Sequence, residues 1–335
     1  MAHRDARRLD EDDVRNRPSR YGSRARSKQR PAHADAATGM VVTIDRGRYT
    51  VLLAGSTVLL TAMRARELGR KSIAVGDRVS VVGDLSGQPD TLARIVRIGE
   101  RDTVLRRTAD DNDPFERVIV ANADQLLIVA ALASPAPAYG LIDRCLVAAL
   151  SAGMNPILLL TKADLARPDE VLEHYAALDV PAVVTERGAD LAPIRQLLDG
   201  RSTVFVGHSG VGKSTLVNAL VPGAGRSTGA VSEIGKGRHT STSVFALALP
   251  EPLTGWVIDT PGVRSFGLAH VSAQDLLWAF PDLEDGAVQC PPRCEHRSES
   301  EGCRLGDWVA AGHSSTARLA AFRRLLASRT DLGVS

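Results

Sequence analysis

The chain has 335 residues, enough for about two or three domains that each bury a core. Its 44% apolar and 24% charged residues are ordinary for a globular protein, and no apolar run reaches the roughly 18 residues of a membrane span. The net charge of +2 excludes no partner, but an Arg-rich start without an apolar stretch is not a secretory signal, so a cytoplasmic protein without a membrane partner is expected.

Residues 1–37 are polar and lack apolar periodicity; ten Lys/Arg fall between residues 4 and 30, broken by Asp10, Glu11, Asp12 and Asp13. This reads as a disordered basic arm, either a phosphate-backbone contact or a solvated tail. Residues 38–107 change to short β segments: Gly39–Asp45, Arg48–Leu53, Thr57–Ala62, Asp77–Val82 and Ala93–Ile98. Gly- and Asp-bearing turns between them predict a small barrel, of oligonucleotide-binding (OB) or SH3-like type. Arg64, Arg66, Arg70 and Lys71 share one connection, which suits nucleic acid. Thr108–Pro114 reads as a linker.

From there strands and helices alternate, as in an α/β domain. Strands are predicted at Asp124–Ala130, Pro156–Leu160, Ala182–Thr185 and Ser202–Val206, and helices at Leu141–Ala152 and Leu191–Leu198. Cys145 falls on the core face of the first helix. The second strand ends in Thr161-Lys162-Ala163-Asp164, which is similar to the guanine-reading N-K-x-D pattern. A carboxylate at Asp164 accepts from both N1–H and the exocyclic amine of guanine, a donor pair adenine lacks, and Lys162 would lie along the base. The fourth strand runs into Gly207-His208-Ser209-Gly210-Val211-Gly212-Lys213-Ser214, a full match to the phosphate-binding loop G-x-x-x-x-G-K-[ST]. Its glycines let successive N–H groups face an anion at a helix N-terminus. Lys213 would reach the β- and γ-phosphates, Ser214 would sit on Mg²⁺, and Thr215 opens the helix toward Leu220.

Gly223–Gly237 is poor in apolar residues and reads as mobile. Strands follow at Ser243–Leu247 and Gly255–Ile258, the latter ending in Asp259-Thr260-Pro261-Gly262, the D-x-x-G pattern. Asp259 would hold Mg²⁺ through water and the Gly262 N–H would sense a γ-phosphate. Cys290, Cys294, His296 and Cys303 form C-x₃-C-x-H-x₆-C, a donor set for one structural Zn²⁺ in a reducing compartment, with buried free thiols as the alternative. His313 is a weaker fourth ligand, Trp278 reads as a packing residue, and Ser314–Ala327 reads as a helix.

The base reader precedes the phosphate loop, and D-x-x-G follows it. In ordinary GTPases the phosphate loop comes first and the base reader late, so this order predicts a circularly permuted domain. With Ala121-Asn122-Ala123-Asp124-Gln125, Leu141-Ile142-Asp143-Arg144, Gly237-Arg238-His239-Thr240, Asp259 to Leu268 and the cysteine cluster, the chain resembles the ribosome small subunit-dependent GTPase A family over residues 38–328. The resemblance implies a multidomain protein. An all-β OB-type RNA-binding barrel (38–107) precedes a circularly permuted α/β P-loop GTPase core (108–270) and a small, mainly helical zinc domain (271–335). It also implies a monomer that exchanges GTP and GDP, binds the 30S subunit and its 16S rRNA late in assembly, and is stimulated by that subunit. Two positions depart from the family pattern: Thr240-Ser241-Thr242 interrupts a run of threonines, although Ser241 keeps a hydroxyl for Mg²⁺, and Thr185-Glu186-Arg187 replaces the usual base-supporting residues.

Val263 occupies the position where small GTPases place a water-orienting Gln, and it cannot hydrogen-bond water. His239, whose imidazole can orient water near neutral pH, is the candidate catalytic residue. Two other classes compete: a non-enzymatic RNA platform that only holds GTP, and an ATP-dependent kinase. Lys213, Ser214, Asp259 and Gly262 weigh against the first and Asp164 against the second.

Overall fold

The computed structural model describes residues 33–69, 71–108, 116–222, 244–260, 266, 268, 270–298 and 300–329. The basic arm through residue 32, the Gly223–Gly237 stretch, and His239, Ser241 and Gly262 lie outside them.

The first five strands are β1 (Ala37–Asp45), β2 (Arg48–Leu53), β3 (Leu59–Arg64), β4 (Arg78–Gly83) and β5 (Ala93–Ile98). They pair β1–β2–β3–β5–β4 and β4 returns to β1, so the sheet closes on itself with β3 and β5 parallel. This is a closed five-stranded barrel of the OB type rather than a simple meander. Alternation supplies its core: Val41, Tyr49, Val51, Leu60, Ala62, Val79, Val81 and Ile95 point inward. A bulge between Val41 and Thr43 breaks the period of two, so that both Val41 and Val42 are buried. Val41 fills the barrel, while Val42 joins the core of the next domain.

Asp77 is fully buried just before β4, yet all its needs are met. Arg101 grips it with two bonds, of 2.7 and 2.8 Å, and the Ala74 N–H donates to it at 2.7 Å. Arg101→Leu would leave a buried carboxylate without its counter-charge. We expect a loss of about 3–5 kcal/mol, measured by denaturant unfolding, whereas Asp77→Asn in the same background should recover much of it.

The stretch read as a linker falls between β6 (Val104–Thr108) and β7 (Glu116–Ala121), which pair with each other as an antiparallel hairpin. Beyond it come β8 (Gln125–Ala131), α1 (Tyr139–Ser151), β9 (Asn155–Thr161), α2 (Asp169–Tyr175), β10 (Ala182–Val184), α3 (Ala192–Leu198), β11 (Arg201–Gly207), α4 (Lys213–Leu220), β12 (Phe245–Ala248) and β13 (Gly255–Asp259). The strands stand in the order β10-β9-β8-β11-β13-β12, parallel except for β12 at the edge. A single pairing, Thr43 with Phe245, joins this sheet to the barrel. Every residue of β8 is buried, as expected of a central strand covered on both faces. Its side chains divide the two cores. Leu126, Ile128 and Ala130 face α1 and α2, whereas Leu127, Val129 and Ala131 face α3 and α4.

The C-terminal part is helical: α5 (Ala273–Leu277), α6 (Pro281–Ala287), α7 (Leu305–Ala310) and α8 (Thr316–Ser328). Ser272 and Asp275 cap α5 reciprocally, and the Ser315 hydroxyl caps α8 by accepting from the Arg318 N–H. Phe280, Leu305, Phe322 and Leu325 extend the α1-side core into this region. Arg318 ties it further, bonding Asp282, Asp179 and the Ala177 carbonyl with its guanidinium over the Phe280 ring. Trp278, expected to pack, is 62% exposed: the five-residue α5 buries Leu276 and Leu277, and the next position turns outward. Among the described residues no helix is long and apolar enough to cross a membrane.

Candidate functional site

The helices after β8 and β11, α1 and α4, leave on opposite faces of the sheet. Between the carboxyl ends of these neighbouring strands a crevice opens, the place where open α/β sheets take ligands. The phosphate-loop residues line it. Gly207 ends β11 so close to β8 that a Cβ would lie 2.5 Å from the Val129 carbonyl oxygen. Gly210 and Gly212 have φ of +82° and +96°, which side-chain-bearing residues rarely adopt, and Gly212 caps α4. His208, Ser209, Ser214 and Thr215 are exposed, and Val211 is buried beneath the loop. α4 begins at Lys213, two residues before the expected Thr215.

Lys213 reaches across to β13 and donates to Asp259, both side chains being nearly buried. Thr260 fixes that strand end by donating its hydroxyl to the Phe205 carbonyl at 2.9 Å. The D-x-x-G carboxylate and the loop lysine thus already form one unit, and Ser214 follows directly. Asp259 and Ser214 are the described residues suited to a Mg²⁺ accompanying a nucleotide.

The base-reader motif meets the same loop. The Thr161 hydroxyl donates to the Val211 carbonyl at 2.7 Å. A hydroxyl at this position, where an amide was the pattern, therefore has a partner of its own inside the fold. Lys162, at φ +61°, donates to the Ser134 carbonyl in the β8–α1 loop. Asp164 projects into solvent beside it. Thr185, at the end of β10, accepts from the Ala163 N–H at 3.2 Å, so the substituted base-supporting stretch adjoins the reader; its own hydroxyl is buried without a partner among the described residues. The role of Ser134 left no sequence signal, because it acts through its backbone. Thr161→Val should leave the buried Val211 carbonyl without a donor. We expect about 1–3 kcal/mol lower stability and weaker nucleotide binding, read by thermal melting and fluorescent-nucleotide titration.

A second cluster lies in the helical part. The donor atoms of Cys290, Cys294, His296 and Cys303 all fall within 4.8 Å of one another. A tetrahedral centre with ligands near 2.3 Å would hold sulfurs about 3.8 Å apart, so the set fits one structural zinc. The surroundings are built for thiolates. The Arg304 N–H donates to Cys290 Sγ at 3.3 Å and the His296 N–H to Cys294 Sγ at 3.4 Å. His296 turns Nδ1 toward Cys303 Sγ at 3.9 Å, and Arg323 donates to its carbonyl at 3.2 Å. Burial, reinforced by the neighbouring thiols, pushes the Cys290 thiol up to about 11, a cost that a bound cation would offset. His313 takes no part; it stacks on Trp308 at 3.9 Å. Cys145 is buried in the core, as expected, with its thiol pushed up to about 12 by burial.

The RsgA GTPase family model matches residues 98–269, about half of the chain. A relative in Nitrosospira multiformis, a small ribosomal subunit biogenesis GTPase RsgA, is 34% identical over 87% of this chain and 90% of its own length. The chain belongs to the RsgA GTPase family. Proteins of the same description in Ectopseudomonas mendocina and Pseudomonas aeruginosa are 42% and 41% identical, and this RsgA-family chain spans 63% and 65% of their lengths. Two solved structures share the fold at 24% identity. YloQ, a circularly permuted GTPase, aligns with a TM-score of 0.63 over 92% of this chain and 99% of its own. YjeQ from Thermotoga maritima gives 0.64 over 88% and 99%. The barrel and permuted P-loop core of this RsgA-family chain share the overall fold of both.

Proposed function

We propose that the chain is a GTP hydrolase, a late-stage assembly factor of the 30S ribosomal subunit that binds 16S rRNA and is stimulated by the small subunit. The supporting observation is the Thr161–Val211 bond: segments 50 residues apart, one suited to guanine and one to phosphates, line one crevice. The relatives' shared description as small ribosomal subunit biogenesis GTPases supports the biological setting.

In this reading the amides of Gly207 to Lys213 and the start of α4 cradle the phosphates. Lys213 exchanges Asp259 for the β- and γ-phosphate oxygens, and Asp259 is freed toward Mg²⁺ together with Ser214 and Ser241. Held there, Mg²⁺ would supply neutralisation of phosphate charge. Asp164 selects guanine, Lys162 lies along the base, and Gly262 senses the γ-phosphate. His239 orients the attacking water. Barrel (38–107), basic arm (1–37) and zinc domain (271–335) contact rRNA around the GTPase core (108–270), the protein acting as a cytoplasmic monomer. Exposed Arg46, Arg48, Arg66 and Arg94 on the barrel support its share of that contact.

The test is phosphate release with and without purified 30S subunits, for the wild type and His239→Ala. We expect 30S-stimulated turnover at least about tenfold lower in the variant, with GDP affinity unchanged. Equal turnover would remove His239 from the mechanism, and no stimulation of the wild type would remove the subunit as the partner.

A further inference from the structure

We infer that Arg324 and Asp143 are positioning residues, which transmit the placement of the zinc-bearing helices to the base side of the nucleotide crevice; this rests on the nucleotide reading above. The chain of contacts starts at consecutive residues of α8. Arg323 donates to the carbonyl of His296 in the zinc cluster, and Arg324 pairs with Asp143 on α1 at 3.2 Å. Arg324 also lies over the Tyr175 ring of α2, 5.4 Å from its centroid. Asp143 is 5% exposed and has the Tyr175 hydroxyl within hydrogen-bond reach as well as Arg324, whose side chain is 30% exposed. An ion pair with one partner desolvated and the other half-buried is a poor source of stability, and an apolar pair of the same size can hold α8 on α1 as well. What the ion pair adds is a fixed register of one helix on the other.

The N-terminus of α1 carries that register to the site. Its preceding loop touches the crevice at three points. The Leu132 N–H donates to the Thr161 carbonyl at 2.9 Å, and the Ser134 carbonyl accepts from Lys162. Pro135 packs beside Gly210, where a Cβ would meet its ring at 3.8 Å. On the side facing the phosphate loop, α1 is not held by close packing. A cavity of about 150 Å³, lined mainly by apolar groups that include Leu141, Ile142, Cys145, Pro135 and Val211, separates the two. α1 can therefore yield toward the loop, while its stiff contacts lie on the other side. There the Tyr175 hydroxyl donates to the Tyr139 carbonyl at 3.3 Å and Arg324 holds Asp143. A shift of α8, as when the zinc-bearing region docks on a partner, moves Ser134 and Pro135 and with them the settings of Lys162 and the phosphate loop.

The full chain is titrated with fluorescent GDP in four forms: wild type, Arg323→Met, the apolar pair Asp143→Leu/Arg324→Leu, and the apolar pair carrying Arg323→Met. Thermal melting is recorded for each. Loosening the zinc loop through Arg323→Met is expected to weaken GDP binding about fivefold in the wild-type background and less than twofold in the apolar-pair background, although the apolar pair melts no lower than the wild type. Cys145→Leu, which fills the cavity and holds α1 from the other side, should likewise blunt the Arg323→Met effect. Equal effects of Arg323→Met in both backgrounds overturn the inference while leaving the nucleotide reading intact, and so does an apolar pair that loses its fold. A wild-type chain that fails to bind GDP overturns both.

Discussion

Replacing Lys213 with alanine is expected to lower GTP turnover by at least about a hundredfold, because the cation that meets the developing charge on the transferred phosphoryl group is lost. The geometry predicts a second effect before any nucleotide binds. Lys213 and Asp259 are the nearly buried partners of one ion pair, so the single substitution leaves Asp259 with a desolvated charge and should lower the melting temperature of the free protein. Asp259→Asn in the Lys213→Ala background should restore much of that melting temperature and none of the turnover. Stability and activity thus separate in a double-mutant cycle. If Lys213→Ala melted as the wild type does, the pair would not be part of the free protein's fold.

Removing the metal should have the largest effect on stability. Helices α5 to α7 have five to seven residues each, too few to persist alone, and their apolar side chains Leu276, Leu277, Leu283 and Leu305 belong to the same core as α1. A structural zinc contributes on the order of 10 kcal/mol to a small domain that folds around it. Cys303→Ser or a strong chelator is therefore expected to release one zinc per chain and to unfold this region, with a loss of helical signal and of 30S-stimulated turnover. The pH dependence follows from proton linkage. Cys290, with its thiol pushed up to about 11, must lose its proton to bind the cation, so zinc affinity falls as pH falls. Metal analysis that finds no zinc, together with an unchanged melt in chelator, would contradict the assignment.

The parts legible in the sequence were those whose signal is local. Alternation in Arg48–Leu53 and Ala93–Ile98 located β2 and β5 to the residue. The continuous apolar run of β8 and the glycine spacing of the phosphate loop were equally direct. The order of the motifs predicted a permuted sheet, and β8, β9 and β10 standing on one side of β11 with β13 on the other accord with it. Signals that depend on distant partners were not legible. The β6–β7 hairpin was not predicted: Asp110, Asp111, Asn112 and Pro114 made the stretch between its strands read as a linker, and Val104 and Leu105 find Ala121 and Val120 only after the chain turns back. α2 and α5 to α7 are too short to display a helical period. Thr161 stands where the base-reader pattern has an amide, and its partner is a carbonyl 50 residues away. The Asp143–Arg324 pair spans 181 residues, a separation at which no local pattern reports.

The central claim, that one crevice grips guanine through Asp164 and the triphosphate through Lys213, is tested most directly by competitive binding of GTP, ATP and xanthosine triphosphate to the wild type and to Asp164→Asn. The account predicts that the wild type takes GTP over ATP by at least about a hundredfold, since a carboxylate that accepts from both guanine donors has no such pair to meet on adenine. It also predicts that Asp164→Asn shifts preference from GTP toward xanthosine triphosphate, whose exocyclic oxygen accepts from the new amide. Equal affinity of the wild type for GTP and ATP, or an Asp164→Asn variant with unaltered selectivity, would contradict it.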